Sequence, residues 1–118
     1  MVEHNNHFLA TYDDNRQIGL ISYSYDNENQ SYIILELLEV DDVHYSGIGS
    51  NLIANVAKIA LEDTKVEGYM TLISKTETVV FYNKIFNLNQ PKAQRKFAIY
   101  PENARYAVKH YLTQEVEL

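Results

Sequence analysis

Residues 44–50 carry the clearest chemical signal in the chain, because two glycines and two serines there follow an apolar run and precede a helical pattern. A helix leaves its first N–H groups unpaired and carries partial positive charge at that end. Glycines let a bulky anion approach the main chain closely. The order of strand, glycine-bearing turn and helix predicts a site for a phosphate group of a nucleotide or of CoA. An ordinary strand-to-helix turn is the alternative.

Glu36 is a candidate for proton transfer within the apolar run of residues 32–40. A carboxylate that faces a cleft is desolvated there and suited to act as a general base. The alternative is a glutamate on the solvent side of a half-exposed sheet. Glu39 lies three residues further on, so strand alternation predicts that it points to the opposite face and cannot act together with Glu36.

Tyr82 belongs to the sequence Phe81-Tyr82-Asn83-Lys84, which follows a predicted strand and lies on a predicted helix. A tyrosine hydroxyl at this place can donate a proton to a leaving group. The alternative is a helix tyrosine that packs on the sheet. Lys84 is most simply a solvated helix charge.

Several other kinds of site are excluded by the sequence. The chain has no cysteines, which rules out disulfides, zinc–thiolate sites and a cysteine nucleophile. The turn at 44–50 has neither the Gly-Lys-Ser/Thr of a P-loop nor the third glycine of the dinucleotide fingerprint, which argues against NTPases and NAD enzymes. The histidines are scattered without metal-binding spacing, so we expect no metal cofactor; they are His4, His7, His44 and His110.

Length and composition indicate one small globular domain. The 118 residues fit a single domain over 1–118, and an apolar content of 46% is enough for one core. A formal charge of −6 argues against nucleic acid as a partner, because such proteins need a basic face. The N-terminus is polar and no stretch approaches about 20 apolar residues. We therefore expect a cytoplasmic protein with no membrane partner.

Three strands separated by short polar turns indicate an antiparallel meander in the first third of the chain. They cover residues 8–12, 17–25 and 32–40. Apolar residues at three- and four-residue spacing predict a helix over 51–62, with Ser50 or Asn51 as its cap. A strand over 69–74 completes a βαβ unit, which should be parallel and right-handed.

The remaining elements are a second helix, a strand and a C-terminal segment with two interpretations. The second helix is predicted over 76–86, and a strand over 96–100 follows a polar loop. We predict a returning strand over 104–112. The alternative is a helix over 102–113, with Pro101 near its start.

In this order the segments resemble the GNAT superfamily of acetyl-CoA-dependent N-acetyltransferases. Residues 44–50, followed by Leu52, look like the family's Arg/Gln-x-x-Gly-x-Gly/Ala motif, and residues 81–85 look like its Phe-Tyr-x-Lys-Leu-Gly-Phe segment. The resemblance covers most of residues 8–112. It implies an α/β (α+β) fold, in which a mixed sheet made of an antiparallel meander and a βαβ unit is splayed to form an acyl-CoA groove.

The resemblance also implies direct transfer of an acetyl group from acetyl-CoA to an amine acceptor. Tyr82 would protonate the departing CoA thiolate, and Glu36 would act as the general base or orient a water. The turn and helix start would hold the CoA pyrophosphate, and nearby strand residues would contact the pantetheine arm. The expected cofactor-binding residues are Leu38, Glu39, Val40, His44, Tyr45, Ser46, Gly47, Ile48, Gly49, Ser50, Ser74 and Lys75.

The chain departs from the family pattern in ways that bear on function. His44 stands where Arg or Gln is usual, Phe86 where glycine is frequent, and Lys75 where many members have an asparagine. The chain starts at what looks like the family's second strand, so we expect an amine pocket that is open, completed by a partner chain or absent. A large or flat acceptor, such as a protein or peptide terminus, would then fit. The alternative function is a non-catalytic GNAT-like module that binds CoA or a protein partner. An exposed edge strand is compatible with a homodimer.

Overall fold

The computed structural model describes residues 6–112 and has an α+β fold, in which three helices pack on a five-stranded mixed sheet. In chain order the strands are β1 (His7–Asp13), β2 (Arg16–Tyr25), β3 (Ile33–Val40), β4 (Met70–Ile73) and β5 (Lys96–Ile99). The helices are α1 (Ile48–Glu62), α2 (Val79–Phe86), which follows a 3₁₀ turn over Thr76–Thr78, and α3 (Pro101–Tyr111). Within this described part of the chain, every helix is too short or too polar to cross a lipid bilayer.

The strands lie in the sheet in sequence order, and their directions agree with the predicted meander and βαβ unit. β1, β2 and β3 are antiparallel neighbours, β3 and β4 are parallel, and β5 is antiparallel to β4. The five strands and the first two helices predicted from the sequence are confirmed, with small shifts at their ends. Because a parallel pair needs a crossover connection, α1 is the element that brings β4 beside β3.

The core lies on one face of the sheet, because buried apolar residues alternate along the strands. Ile33 of β3 lies opposite Met70 of β4, which lies opposite Ile99 of β5, and all three are buried. Residues of α1, α2 and α3 belong to the same buried cluster. All three helices therefore cover this face, and no helix of residues 6–112 covers the other.

β3 contains one residue more than the strand opposite, and this residue is Glu36. Tyr23 lies opposite Leu35, but the preceding residue of β2, Ser22, lies opposite Leu37, so that Glu36 has no partner in this register. A bulge of this kind bends the strand and reverses the alternation of side chains beyond it.

The bulge shows that the prediction of opposite faces for Glu36 and Glu39 is wrong. Glu36 accepts a hydrogen bond from Ser24, and Glu39 lies opposite Leu20. Ser24 and Leu20 lie on the same face of β2, the one away from the helices, because they are an even number of residues apart. Both carboxylates therefore lie on that face, which regular alternation could not predict.

The last element is a helix, α3, and the prediction of a strand over 104–112 is wrong. Pro101 lies in the first turn, where its missing N–H costs nothing. Ala104 and Ala107 are fully buried in the common core, and these small side chains let α3 pack closely on α1. The alternative helix is thus the correct interpretation, and its last residue, 113, lies outside the described residues.

The buried carboxylate of Asp26 organises the turn between β2 and β3. Its oxygens accept the N–H groups of Asn29 and Tyr32, each at 3.0 Å, and also that of Ser31. Burial alone would raise the pKa of Asp26, but these hydrogen bonds outweigh it and hold the pKa below its ordinary value of 3.8. The turn that starts β3 therefore depends on an ionised side chain.

We expect Asp26→Asn to lower the free energy of unfolding by about 1–2 kcal/mol at neutral pH, because the amide cannot accept all of these hydrogen bonds. The wild-type contribution is present above the ordinary pKa and is lost as the pH falls through the lower pKa of the folded state. The difference in the free energy of unfolding between the wild type and Asp26→Asn should therefore become smaller in acid. Urea unfolding over a pH series measures both effects. Asp42→Asn, at an exposed carboxylate, is the control, and an equal loss there would contradict this role for Asp26.

Candidate functional site

β3 and β4 separate near the centre of the sheet, and a cavity lies between them. Their parallel pairing covers three residue pairs and ends at Leu35 and Leu72, whereas β3 continues to Val40. The cavity has a volume of about 560 Å³ and extends from this gap to the start of α1 and to α2. The predicted site residues that line it are Glu36, Leu38, Val40, Tyr45, Ser46, Gly47, Ile48, Gly49, Ser50, Ser74, Lys75 and Tyr82.

The N-terminus of α1 lies at this cavity. The helix starts at Ile48, and its N-cap is Gly47 instead of the predicted Ser50 or Asn51. Gly47 has φ +80° and ψ 0°, a left-handed conformation that glycine adopts without steric cost. Its carbonyl accepts the N–H of Asn51 at 3.0 Å and the hydroxyl of Ser50 at 3.1 Å. The N–H groups of Ile48, Gly49 and Ser50 come before the first helical hydrogen bond and can bind an anion.

His44 does not line the cavity and is held by Asp41 instead. Its Nδ1 lies 3.1 Å from Asp41 Oδ2, and Nη2 of Arg16 lies 2.6 Å from the same oxygen. Desolvation alone would raise the pKa of Asp41, but the hydrogen bonds from His44 and the charge of Arg16 keep it below the ordinary value of 3.8. Because Asp41 lines the cavity, Arg16 offsets a negative charge next to the start of α1.

Tyr45 ties the loop between β3 and α1 to the first hairpin. Its hydroxyl donates a hydrogen bond to Asp13 at the end of β1, and this bond raises the pKa of the phenol above its ordinary value of 10.0. The Arg16–Asp41 pair ties the same loop to β2. Residues distant in sequence therefore set the position of the loop that leads into Gly47.

Glu36 lines the cavity from the bulge in β3. Ser24 Oγ donates a hydrogen bond of 2.6 Å to Glu36 Oε1. Ser24 is only 5% exposed, whereas Glu36 is exposed, so a hydrogen bond from a buried serine fixes the position of an exposed carboxylate. The second carboxylate oxygen remains able to accept a proton, which is the geometry that a general base requires.

Tyr82 lines the cavity from α2, on the side of the helices. Its ring packs edge-on against Phe81 and at a tilt against Phe97, with ring centroids 5.2 and 5.8 Å apart. Burial raises the pKa of the Tyr82 phenol above its ordinary value of 10.0, so the hydroxyl keeps its proton at neutral pH. Glu36 and Tyr82 also line a smaller cavity of about 30 Å³ beside the gap. Glu36 and Tyr82 thus line the same cavities where β3 and β4 separate.

The segment between β4 and α2 forms the opposite wall of the cavity. Ser74 is buried, and its hydroxyl donates to the carbonyl of Lys75 at 2.6 Å and lies 2.7 Å from Thr78 Oγ1. Arg95 Nε donates to the carbonyl of Ser74 at 2.7 Å. These contacts fix the backbone here, and the exposed Lys75 contributes a positive charge to the lining.

Glu39, like His44, lies outside the cavity lining, whereas several residues that were not predicted belong to it. The added residues are Leu37, Asp41, Asp42, Ile73, Thr78 and Phe81. The two aspartates directly follow β3, and Phe81 directly precedes Tyr82, so their sequence positions were usable signals. Leu37 lines the cavity because of the bulge, for which the sequence gives no signal.

No protein-family model matches this chain, and no curated protein sequence matches it either. Over residues 6–112, a range that leaves out His4, no three His, Asp or Glu side chains are grouped so that they could hold a metal ion. The function is therefore inferred from the geometry of the cavity.

We expect Gly47→Ala to lower the free energy of unfolding by about 1–2 kcal/mol, because a side chain at positive φ strains the backbone even though the Cβ would meet nothing within 4 Å. Gly47→Asn should cost less, since asparagine tolerates this conformation. Gly49→Ala is the matched control, because its Cβ would make ordinary contacts at 3.5 Å with Leu38 and Phe81. Urea unfolding of the variants measures the difference. An equal effect of the two alanine substitutions would show that the conformation of Gly47 is not what matters.

Proposed function

We propose that this protein is a GNAT-like N-acetyltransferase that moves an acetyl group from acetyl-CoA to an amine acceptor. The observation that carries the proposal is one cavity that joins the N-terminus of α1, the gap between β3 and β4, and the side chains of Glu36 and Tyr82. An anion site, a slot for an extended chain and an acid–base pair are the parts needed for acyl transfer from a phosphorylated thioester.

The acyl donor would bind along the gap between the strands. The pyrophosphate would accept hydrogen bonds from the first N–H groups of α1, where the helix dipole favours negative charge, and Lys75 would add to this attraction. β3 continues beyond its last pair with β4, at Leu35, and borders the gap. The amide groups of a pantetheine arm could pair with this edge as an added strand does.

The proposed reaction is direct attack of the amine on the carbonyl carbon of the acetyl thioester. Glu36 accepts the proton that the amine loses as the C–N bond forms, either directly or through a water. The C–S bond then breaks, and Tyr82, whose hydroxyl is protonated at neutral pH because burial raises its pKa, donates its proton to the departing thiolate. One proton leaves the nitrogen and one reaches the sulfur, so the charges balance without a covalent enzyme intermediate.

We expect CoA and acetyl-CoA to bind with micromolar affinity in isothermal titration calorimetry. Tyr82→Phe should lower the turnover number about a hundredfold or more while leaving the Kd of acetyl-CoA unchanged, because only the proton donor is removed. Tyr100→Phe, which removes the hydroxyl of an exposed tyrosine outside the cavity lining, is the matched control. CoA release can be followed with a thiol reagent, since the chain has no cysteines. Absence of CoA binding would refute the proposal.

A non-catalytic module that binds CoA or a protein partner is the second candidate. The observation that favours it is the presence of Asp41 and Asp42 in the lining, beside the proposed pyrophosphate site, where carboxylates weaken anion binding. The contact between His44 and Asp41 also weakens anion binding at this site, because it keeps the imidazole out of the cavity lining.

Turnover over a panel of primary amines separates the two candidates. If the protein is an enzyme, we expect acetyl transfer to at least one amine, and Glu36→Gln should lower kcat about a hundredfold or more because the amide cannot accept the proton. Glu28→Gln, at an exposed residue of the turn before β3, is the control and should leave kcat unchanged. CoA binding with no turnover on any amine would favour the module.

A further inference from the structure

The face of the sheet away from the core exposes apolar side chains. We call it the helix-free face and define it by Phe8, Leu20, Leu37, Glu39 and Ile73. Phe8 is 58% exposed, Leu37 41% and Ile73 71%. Over residues 6–112 the helices belong to the core on the other face and do not cover these side chains. Large apolar side chains that are exposed together mark a contact surface for another molecule.

The exposed side chains form one row across the sheet. Phe8 of β1 lies opposite Ser22 of β2, and Ser22 lies opposite Leu37 of β3. Two strand spacings therefore separate Phe8 from Leu37, a distance of about 10 Å. Ser22 between them is small and buried, so the row has a depression at its centre. Ile73 continues the row beyond the gap, since it lines the same cavity as Leu37.

The charges beside the β3 part of this row are negative, whereas Lys96 of β5 lies opposite Ile73 at the far end of the row. Glu36 and Glu39 lie on the same side of β3 as Leu37. The strands β1 and β3 contain no lysine or arginine, and the only such residue in β2, Arg16, is paired with Asp41. An ammonium group is complementary to the two glutamates of β3.

The cavity connects the helix-free face with the proposed acetyl-CoA site. Leu38 and Tyr82 line it from the side of the helices, whereas Glu36, Leu37 and Ile73 line it from the helix-free face. A group bound on the helix-free face can therefore reach Glu36 without passing the start of α1, where the pyrophosphate would lie.

We propose that the helix-free face docks the acceptor, and that the acceptor is a polypeptide segment which presents a primary amine between apolar side chains. This inference rests on the proposed acetyltransferase function. The apolar flanks pack on Phe8, Leu37 and Ile73, and the amine enters the gap at Glu36. A small free amine would interact with the carboxylates but would leave the apolar row unused.

Peptide binding followed by fluorescence anisotropy tests the docking surface without requiring turnover. The probe is a short synthetic peptide with one lysine flanked by leucine and phenylalanine, and the reference peptide has the same lysine flanked by serines. We expect the probe to bind at least about tenfold more tightly than the reference, because its apolar flanks are buried. We also expect its binding to weaken with rising salt, because the lysine is attracted by exposed carboxylates.

Two substitutions at Phe8 and matched substitutions at Val80 provide the specific test. Phe8→Ser should remove most of the preference for the probe, and Phe8→Lys should weaken probe binding further by adding a like charge. Val80→Ser and Val80→Lys change a residue of α2 that is 60% exposed and should leave the preference unchanged. Each variant is also titrated with CoA, and we expect the Phe8 variants to retain wild-type CoA binding.

The outcomes separate this inference from the proposed function. Equal binding of the two peptides, or equal effects at Phe8 and Val80, would overturn the docking surface even if CoA still binds. A preference for the probe without any CoA binding would overturn the acceptor role together with the acetyltransferase. A dimer in sedimentation that Phe8→Ser converts to monomers would assign the face to a second copy and would also overturn the inference.

Discussion

The extra residue in β3 is the constraint on which both the core and the candidate site depend. Before it, Leu35 faces the helices, and with regular alternation Glu39 would face them too, while Leu38 and Val40 would lie outside. The bulge reverses this order, so that Leu38 and Val40 pack against the core. Glu36, next to Leu35, lies on the opposite face at the edge of the cavity, and the bulge brings Leu37 and Glu39 to that face as well. One inserted residue thus satisfies the packing of the strand end and groups Leu37 and Glu39 with Glu36 on the face away from the helices.

Local periodicity in the sequence was sufficient for the strands and for α1 and α2, but it was ambiguous for α3. Ala104, Tyr106 and Val108 alternate as in a strand, whereas Ala104, Ala107 and Tyr111 follow helical spacing, and both patterns occur in the same residues. The start at Pro101 and the close packing on α1 favour the helix. The first signal is local and present in the sequence, whereas the second depends on an element about fifty residues away, as the separation of α1 and α3 shows.

The candidate site divides in the same way into local and non-local parts. The turn into α1 could be predicted because its glycines, its strand and its helix are contiguous in sequence. His44 is held by Asp41, three residues earlier, which is a local signal that could have been used. The second partner of Asp41, Arg16, is 25 residues away and could not be predicted from the turn. The contributions of Leu37 and Ile73 depend on where two strands stop pairing. Such a boundary is set by the bulge and by the packing of the helices, which no single segment encodes.

The three residue pairs between β3 and β4 also determine what holds the two halves of the molecule together. Because the pairing of β3 with β4 is so short, it contributes few backbone hydrogen bonds between the meander and the β4–β5 hairpin. The halves are joined mainly by helices, since α1 lies on β1, β2 and β3, and α3, which directly follows β5, packs on α1. The width of the gap between β3 and β4 therefore depends on side chains outside the gap, such as Ala104 and Ala107, whose size determines how closely α3 packs on α1. A bulkier residue at Ala104 or Ala107 would push α3 away from α1. It would change the width of the gap between β3 and β4 without lying in that gap.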